Sequence, residues 1–100
     1  MNTREAILEQ LKEILKEEAD AIYDILDHVD DAYLHAVEMI HGCKGKVVVT
    51  GMGKSGLIAR KIAATMSSTG TLAIFLHPAE GMHGDLGMVA PEDIIIAIGK

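Results

Sequence analysis

Two stretches of this chain gather residue types suited to chemistry on anionic, oxygen-rich molecules. The first is Gly51-Met52-Gly53-Lys54-Ser55-Gly56, where three glycines, a lysine and a hydroxyl follow an apolar run. Glycines let a backbone turn tightly. If a helix starts at that turn, its unpaired N–H groups and the positive end of its dipole face whatever sits there, and a phosphate suits the place. Lys54 and Ser55 supply a cation and a hydroxyl donor at the same mouth. The second stretch is His77-Pro78-Ala79-Glu80-Gly81-Met82-His83-Gly84-Asp85, with two imidazoles and two carboxylates. Imidazoles move protons near neutral pH, and two of them with a carboxylate could also hold a divalent cation, although the spacing matches no zinc signature.

Several readings compete for these residues. Gly51, Gly53 and Gly56 fit the G-x-G-x-x-G dinucleotide pattern, which calls for an acidic residue about 20 positions later, at the end of the next strand. Leu76-His77-Pro78 stands there, which weakens an oxidoreductase reading, while Glu80 keeps it open. A Walker A loop fails because its leading glycine falls on Val48. Glu80 could instead cap a short helix and Asp85 could bind backbone N–H groups of a turn, readings at least as strong as catalytic ones. His77 and His83 flank a glycine-rich loop, which favours function over packing. His28, His35 and His41 read as surface residues, and Cys43 as a small residue in a helix-to-strand turn rather than a nucleophile.

The elements that must position these groups follow from periodicity. Apolar residues recur at helical spacing from Thr3 to Ile40, which predicts two helices, the first capped by Thr3 and the second starting near Asp27. Lys46 to Thr50 reads as a buried strand, and Ile58, Ile62, Ala63 and Met66 mark a helix closed by Gly70. Thr71 to Leu76 and, after the Ala90-Pro91-Glu92 turn, Asp93 to Ile98 read as two further strands. Strand, helix and strand in this order form a βαβ unit, with parallel pairing and a right-handed crossover. Ligands bind beyond the carboxyl ends of parallel strands, so both chemical stretches should share one rim. The last strand is continuously apolar and only Gly99 and Lys100 follow it, so it should lie inside a sheet, with more sequence or a partner chain beside it. The organisation expected is a helical region over residues 1–42 and the first half of an α/β core over residues 43–100, cut short after its third strand.

Composition narrows the classes. Nearly half the residues are apolar (49%) but only three are aromatic, so the core is aliphatic, as suits helices on a parallel sheet. A formal charge of −6, with Arg4 and Arg60 the only arginines, argues against nucleic acid as a partner. A lone cysteine excludes an internal disulfide, no secretory segment opens the chain, and no apolar run approaches the roughly 18 residues that cross a membrane. A cytoplasmic address is expected.

Taken together, Val47 to Gly56, Ser68-Thr69-Gly70-Thr71, Phe75-Leu76-His77-Pro78 and His83-Gly84-Asp85-Leu86-Gly87-Met88 resemble the arabinose-5-phosphate isomerases of the sugar isomerase (SIS) domain superfamily. The similarity runs through residues 40–98. It implies a flavodoxin-like α/β fold with flanking helices, and interconversion of ribulose 5-phosphate and arabinose 5-phosphate, on the route to the lipopolysaccharide sugar Kdo, through an enediolate. By the same resemblance Lys54 is catalytic, and His83 joins it as a catalytic candidate because an imidazole suits the transfer of a proton between C1 and C2. Gly53 and Ser55, from their own chemistry, and Gly70, Thr71, His77 and His83, from the match, contact substrate, and His77 could take a zinc ion that catalysis does not require. A homo-oligomer, a tetramer in the family, is implied, with the amphipathic N-terminal helices as the contact. Leu72 replaces a usual proline. The family's serine-rich phosphate loop and downstream Glu and His fall outside this sequence, so the chain alone is expected to be inert. A non-catalytic sugar-phosphate sensor is the alternative of the same family.

Overall fold

The computed structural model describes residues 2–79 and 85–99, in two units, 1–35 and 36–100. In the first unit, α1 spans Thr3–Ile25. Its cap is Asn2 rather than Thr3: the Asn2 carboxamide oxygen accepts from the Glu5 N–H at 2.8 Å, and its NH2 donates back to the Glu5 carboxylate at 3.3 Å. Two groups at the end of a helix thus satisfy each other, and Thr3 is left free to be helical. A single 3-10 turn, Leu26–His28, then breaks the helix. The second helix, α2, spans Asp31–His41 and starts later than expected. Asp30, not Asp27, organises its start, its carboxylate accepting from the Ala32 N–H at 3.0 Å.

The second unit is built on a three-stranded sheet. Strands β1 (Val47–Gly51), β2 (Ala73–Phe75) and β3 (Ile94–Ile98) are all parallel and lie in the order β2-β1-β3. Val47 pairs with Ala73 on one side and with Ile94 on the other, so β1 is the centre. Val47, Val48 and Val49 are buried to 1% exposure or less. Burying such a side chain fully is worth about 1.5–3 kcal/mol, which explains why the β-branched run takes the middle position.

Helix α3 (Gly53–Ser68) crosses one face of this sheet between β1 and β2. The residues it buries, Gly56, Ala59 and Ala63, are small and recur on one stripe, so the helix axis can sit close to Val47, Val49 and Ala73. Its end is a Schellman turn: Gly70 has φ 104°, the Thr71 N–H donates to the Met66 carbonyl at 2.8 Å, and the Gly70 N–H to that of Ser67 at 3.4 Å. The Ser67 hydroxyl continues the link by donating to the Ala73 carbonyl (2.8 Å) and accepting from the Ala73 N–H (3.2 Å), which starts β2 later than the apolar pattern suggests.

Among the described residues β3 is an edge strand, and its residues alternate between partly buried and exposed, with Ile95 54% exposed. Ile96 and Ile98 pack against the core beneath α3, while Ile95 points to the other face. The run is continuously apolar, but α3 covers only one of its faces. An unforeseen 3-10 turn, Asp85–Met88, precedes the turn that leads into β3.

Candidate substrate cleft at the carboxyl edge of the sheet

β1 leads to β2 on one side, and β3 then returns to the other side of β1. The chain therefore diverges at the carboxyl end of β1, where open parallel sheets leave a crevice for ligands. An open cleft of about 430 Å³ lies there, bordered by Thr50, Gly51 and Met52 at the end of β1, Ser55 on α3, Pro78, and Ile98 and Gly99 at the end of β3. That volume is in the range of small-molecule sites.

The floor of the cleft depends on glycine. A Cβ on Gly56 would stand 2.7 Å from the Gly51 carbonyl oxygen, and one on Gly51 would stand 2.9 Å from the Ser55 carbonyl and 3.0 Å from that of Ile98. Backbone from β1, α3 and β3 thus converges at a spacing that side chains do not permit. Gly53, at φ 58°, makes the turn between strand and helix. The N-cap residue is Met52, extended and without a side-chain hydrogen bond to the helix. No capping side chain occupies the first-turn N–H groups of α3, and the Ser55 hydroxyl stands beside them. This combination can hold an anionic oxygen group.

The next wall is the chain leaving β2. The Leu76 N–H donates to the Val49 carbonyl at 3.0 Å, and the Thr50 hydroxyl donates to the Leu76 carbonyl, so both peptide groups of Leu76 are tied to β1. His77 follows. Its Nδ1 accepts from the Ala79 N–H at 3.1 Å, and its ring meets the Phe75 ring edge-on, centroids 6.4 Å apart at 71°. On the Phe75 ring lies the guanidinium of Arg60 from α3, 4.1 Å from the centroid. Nothing in the sequence marked Arg60, because its partner lies in another element at no fixed spacing.

The candidate residues fall in three places. Ser55 lines the cleft, Gly53 makes the turn between the lining residues Met52 and Ser55 without lining it, and His77 is at the adjoining end of β2. Lys54 sits in the first turn of α3, exposed, outside the set that lines the cleft, and without an ion-pair partner among the described residues. Gly70 and Thr71 are not brought to the cleft. They stand at the far end of α3, whose 16 residues span about 24 Å at 1.5 Å per residue. There they border a separate hollow of about 350 Å³ with Ile40, Cys43 and Leu72. A crossover helix runs against its strands, so its two ends serve opposite edges of the sheet. Glu80 and His83 lie outside the described residues. His28, His35 and His41 are exposed, and the Cys43 thiol faces the Lys46 and Glu92 carbonyls, in keeping with a turn residue.

Among the described residues no group of three or more His, Cys, Asp or Glu is placed to hold a metal ion. Zinc at His77 would have to bind through Nε2, with the ring proton moved to Nδ1 and the Ala79 hydrogen bond given up. The strongest electrostatic feature is elsewhere, at the amino edge. The Asp93 carboxylate accepts from the Ala90 N–H (2.7 Å), the Lys46 N–H (2.8 Å) and the Lys46 ammonium (2.7 Å). These contacts, the Ala90 N–H foremost, hold its pKa down at about 2. The sequence reading gave Asp93 no role beyond starting a strand. In the fold it fixes the start of β3 beside that of β1.

The SIS domain model matches residues 39–100, and the chain belongs to the SIS domain family. It is 52% identical over 89 residues to the arabinose 5-phosphate isomerase KdsD of Escherichia coli, a match covering 89% of this chain and 27% of that protein. The corresponding enzyme of Pseudomonas aeruginosa is 48% identical over 83 residues, covering 83% and 26%. Among solved structures, an E. coli protein in complex with arabinose 5-phosphate superposes with a TM-score of 0.88 at 41% identity, covering all of this chain and 53% of that one. A candidate phosphosugar isomerase involved in capsule formation in Bacteroides fragilis gives a TM-score of 0.87 at 46% identity, covering 94% and 50%. The chain thus spans about a quarter of the curated relatives it matches and about half of the solved ones. No helix among the described residues is long and apolar enough to cross a membrane.

Proposed function

We propose that this chain is the amino-terminal half of the catalytic domain of a sugar-phosphate aldose–ketose isomerase, interconverting ribulose 5-phosphate and arabinose 5-phosphate in the cytoplasm, on the route to Kdo. The observation that carries the reading is the uncapped start of α3 opening, with Ser55, on the cleft beside β1, in a chain half identical to arabinose 5-phosphate isomerases. Moving a proton between C1 and C2 passes through an enediolate, which needs a base at the carbon and a cation or donor at the oxygen. Lys54 suits the second task and His83 the first. No cofactor is needed for such a transfer, and zinc at His77 is treated as incidental.

Gly70 and Thr71 stand a helix length from this cleft, so their proposed contact with substrate comes from a second copy of the chain, as part of a homo-oligomer. By this reading the isolated chain is expected to be inert, since its site lacks both its neighbour and the residues that follow in longer relatives. The test is a chimera in which this sequence replaces the matching 89 residues of the E. coli enzyme. The chimera is expected to convert ribulose 5-phosphate, and Lys54→Ala in it to lower kcat at least ~10²-fold, the usual scale for such groups. A folded chimera with no activity, or a Lys54→Ala chimera at full rate, counts against the reading. The sensor alternative predicts binding of the sugar phosphate by the chimera without turnover.

A further inference from the structure

We infer that Arg60 is a positioning residue which, through Phe75, holds His77 as the neutral Nε2–H tautomer, so that His77 acts as a hydrogen-bond donor to a substrate oxygen. The second half of this statement rests on the sugar-phosphate reading above, and the first half does not.

The tautomer follows from one contact. A backbone N–H can only donate, so the Ala79 N–H at 3.1 Å requires an unprotonated Nδ1. The proton of the neutral ring then lies on Nε2. Turning the ring over would put a carbon where Ala79 donates, leaving that N–H unmet. Phe75 restricts the alternative by standing edge-on to the imidazole at 71°. Phe75 is in turn held from both sides of its environment. Arg60 lies over its face at 4.1 Å, and the glycine at position 56 leaves room beside its ring edge, where a Cβ would already be at contact, 3.8 Å away. Thr50 fixes the backbone just before His77 through the Leu76 carbonyl. Helix, strand and loop therefore act on one ring. A neutral imidazole donating from Nε2 can stabilise a carbonyl or enediolate oxygen without itself giving up the proton, which leaves the carbon-bound proton to another base.

The experiment is nitrogen-15 NMR of the 100-residue chain at about pH 8.5, where imidazoles are neutral. Long-range proton–nitrogen correlations are expected to show His77 as one tautomer, with the proton on Nε2. In Arg60→Met the nitrogen shifts should move towards the averaged values of exchanging tautomers, and Arg60→Lys, which keeps a cation over the ring, should restore the wild-type pattern. Both substitutions are at an exposed position, and the amide spectrum reports whether each variant is folded. A proton on Nδ1, or a wild-type pattern in Arg60→Met, overturns the positioning role. Arabinose 5-phosphate is then added in the same measurement on the chimera described above, where the segments that follow this chain in the E. coli enzyme complete the site. Joint movement of the His77 Nε2–H signal and the amides of Gly53 to Ser55 supports donation to the ligand. Amide shifts with an unmoved Nε2–H overturn the donor role and leave the sugar-phosphate reading standing. If no amide moves, that reading and the donor role fall together, and the ligand-free spectra alone decide the role of Arg60.

Discussion

At the scale of single residues, two positions show how little freedom the site has. Gly56 is a buried helical glycine, and alanine there gains helix propensity of about 1 kcal/mol, but its methyl would meet the Gly51 carbonyl oxygen at 2.7 Å. Backbone cannot yield as a side-chain tip does. Gly56→Ala is therefore expected to destabilise by about 1–3 kcal/mol despite the propensity gain, read from the urea midpoint. Asp93 offers a test in pH. Its folded pKa, about 2, lies below the ordinary 3.8, so its contribution is fully present above the unfolded value and is lost as pH falls through the folded one. The melting temperatures of wild type and Asp93→Asn should thus differ most near neutral pH and converge as the pH is lowered from ~5 towards ~2. A constant gap across that window would show that the Lys46 and Ala90 contacts do not set the pKa.

At the scale of elements, α3 is the part that connects everything. Its start turns beside the cleft, its stripe of Gly56, Ala59 and Ala63 seals the sheet, and its end hands the chain to β2 through Gly70 and Ser67. Ser67 replaces two backbone partners that the first residue of β2 would otherwise lack on that side. Removing its hydroxyl leaves a donor and an acceptor unmatched in a partly buried place. Ser67→Ala is expected to cost about 1 kcal/mol, the net scale of such bonds, and to speed hydrogen exchange of the Ala73 amide more than that of Val48. Uniform acceleration would place the effect in global stability instead of the start of β2.

At the scale of the molecule, the amino-terminal helices leave much apolar surface uncovered. Leu8, Leu11 and Leu15 on α1 are exposed by 56%, 53% and 66%, and α2 exposes Leu34 and Val37 by 56% and 62%. Contiguous exposed apolar faces mark association surfaces, which agrees with the proposed homo-oligomer and with the proposal that Gly70 and Thr71 act on a neighbour's cleft. The chain is expected to run on size exclusion with light scattering as more than a monomer, and Leu11→Glu with Leu15→Glu to shift it to the monomer mass. A wild-type monomer at all concentrations would remove the support for shared sites.

The sequence by itself determined the parts whose physics is local. The βαβ order, the glycine turn at Gly51 to Gly56 and the Schellman glycine at Gly70 were all legible, because periodicity, β-branching and backbone permissiveness are properties of neighbouring residues. The motif set was also specific enough to indicate the SIS family. What only the tertiary structure decided were relations between distant segments. That β1 lies between β2 and β3 follows from pairing, which apolar content does not encode. Asp93 becomes a clamp because 47 residues separate it from the Lys46 it binds. Gly70 and Thr71 leave the cleft because a helix running against its strands carries its two ends to opposite edges. Arg60 comes to lie over the ring of Phe75 because α3 packs on β2, two elements that the sequence does not relate by any fixed spacing.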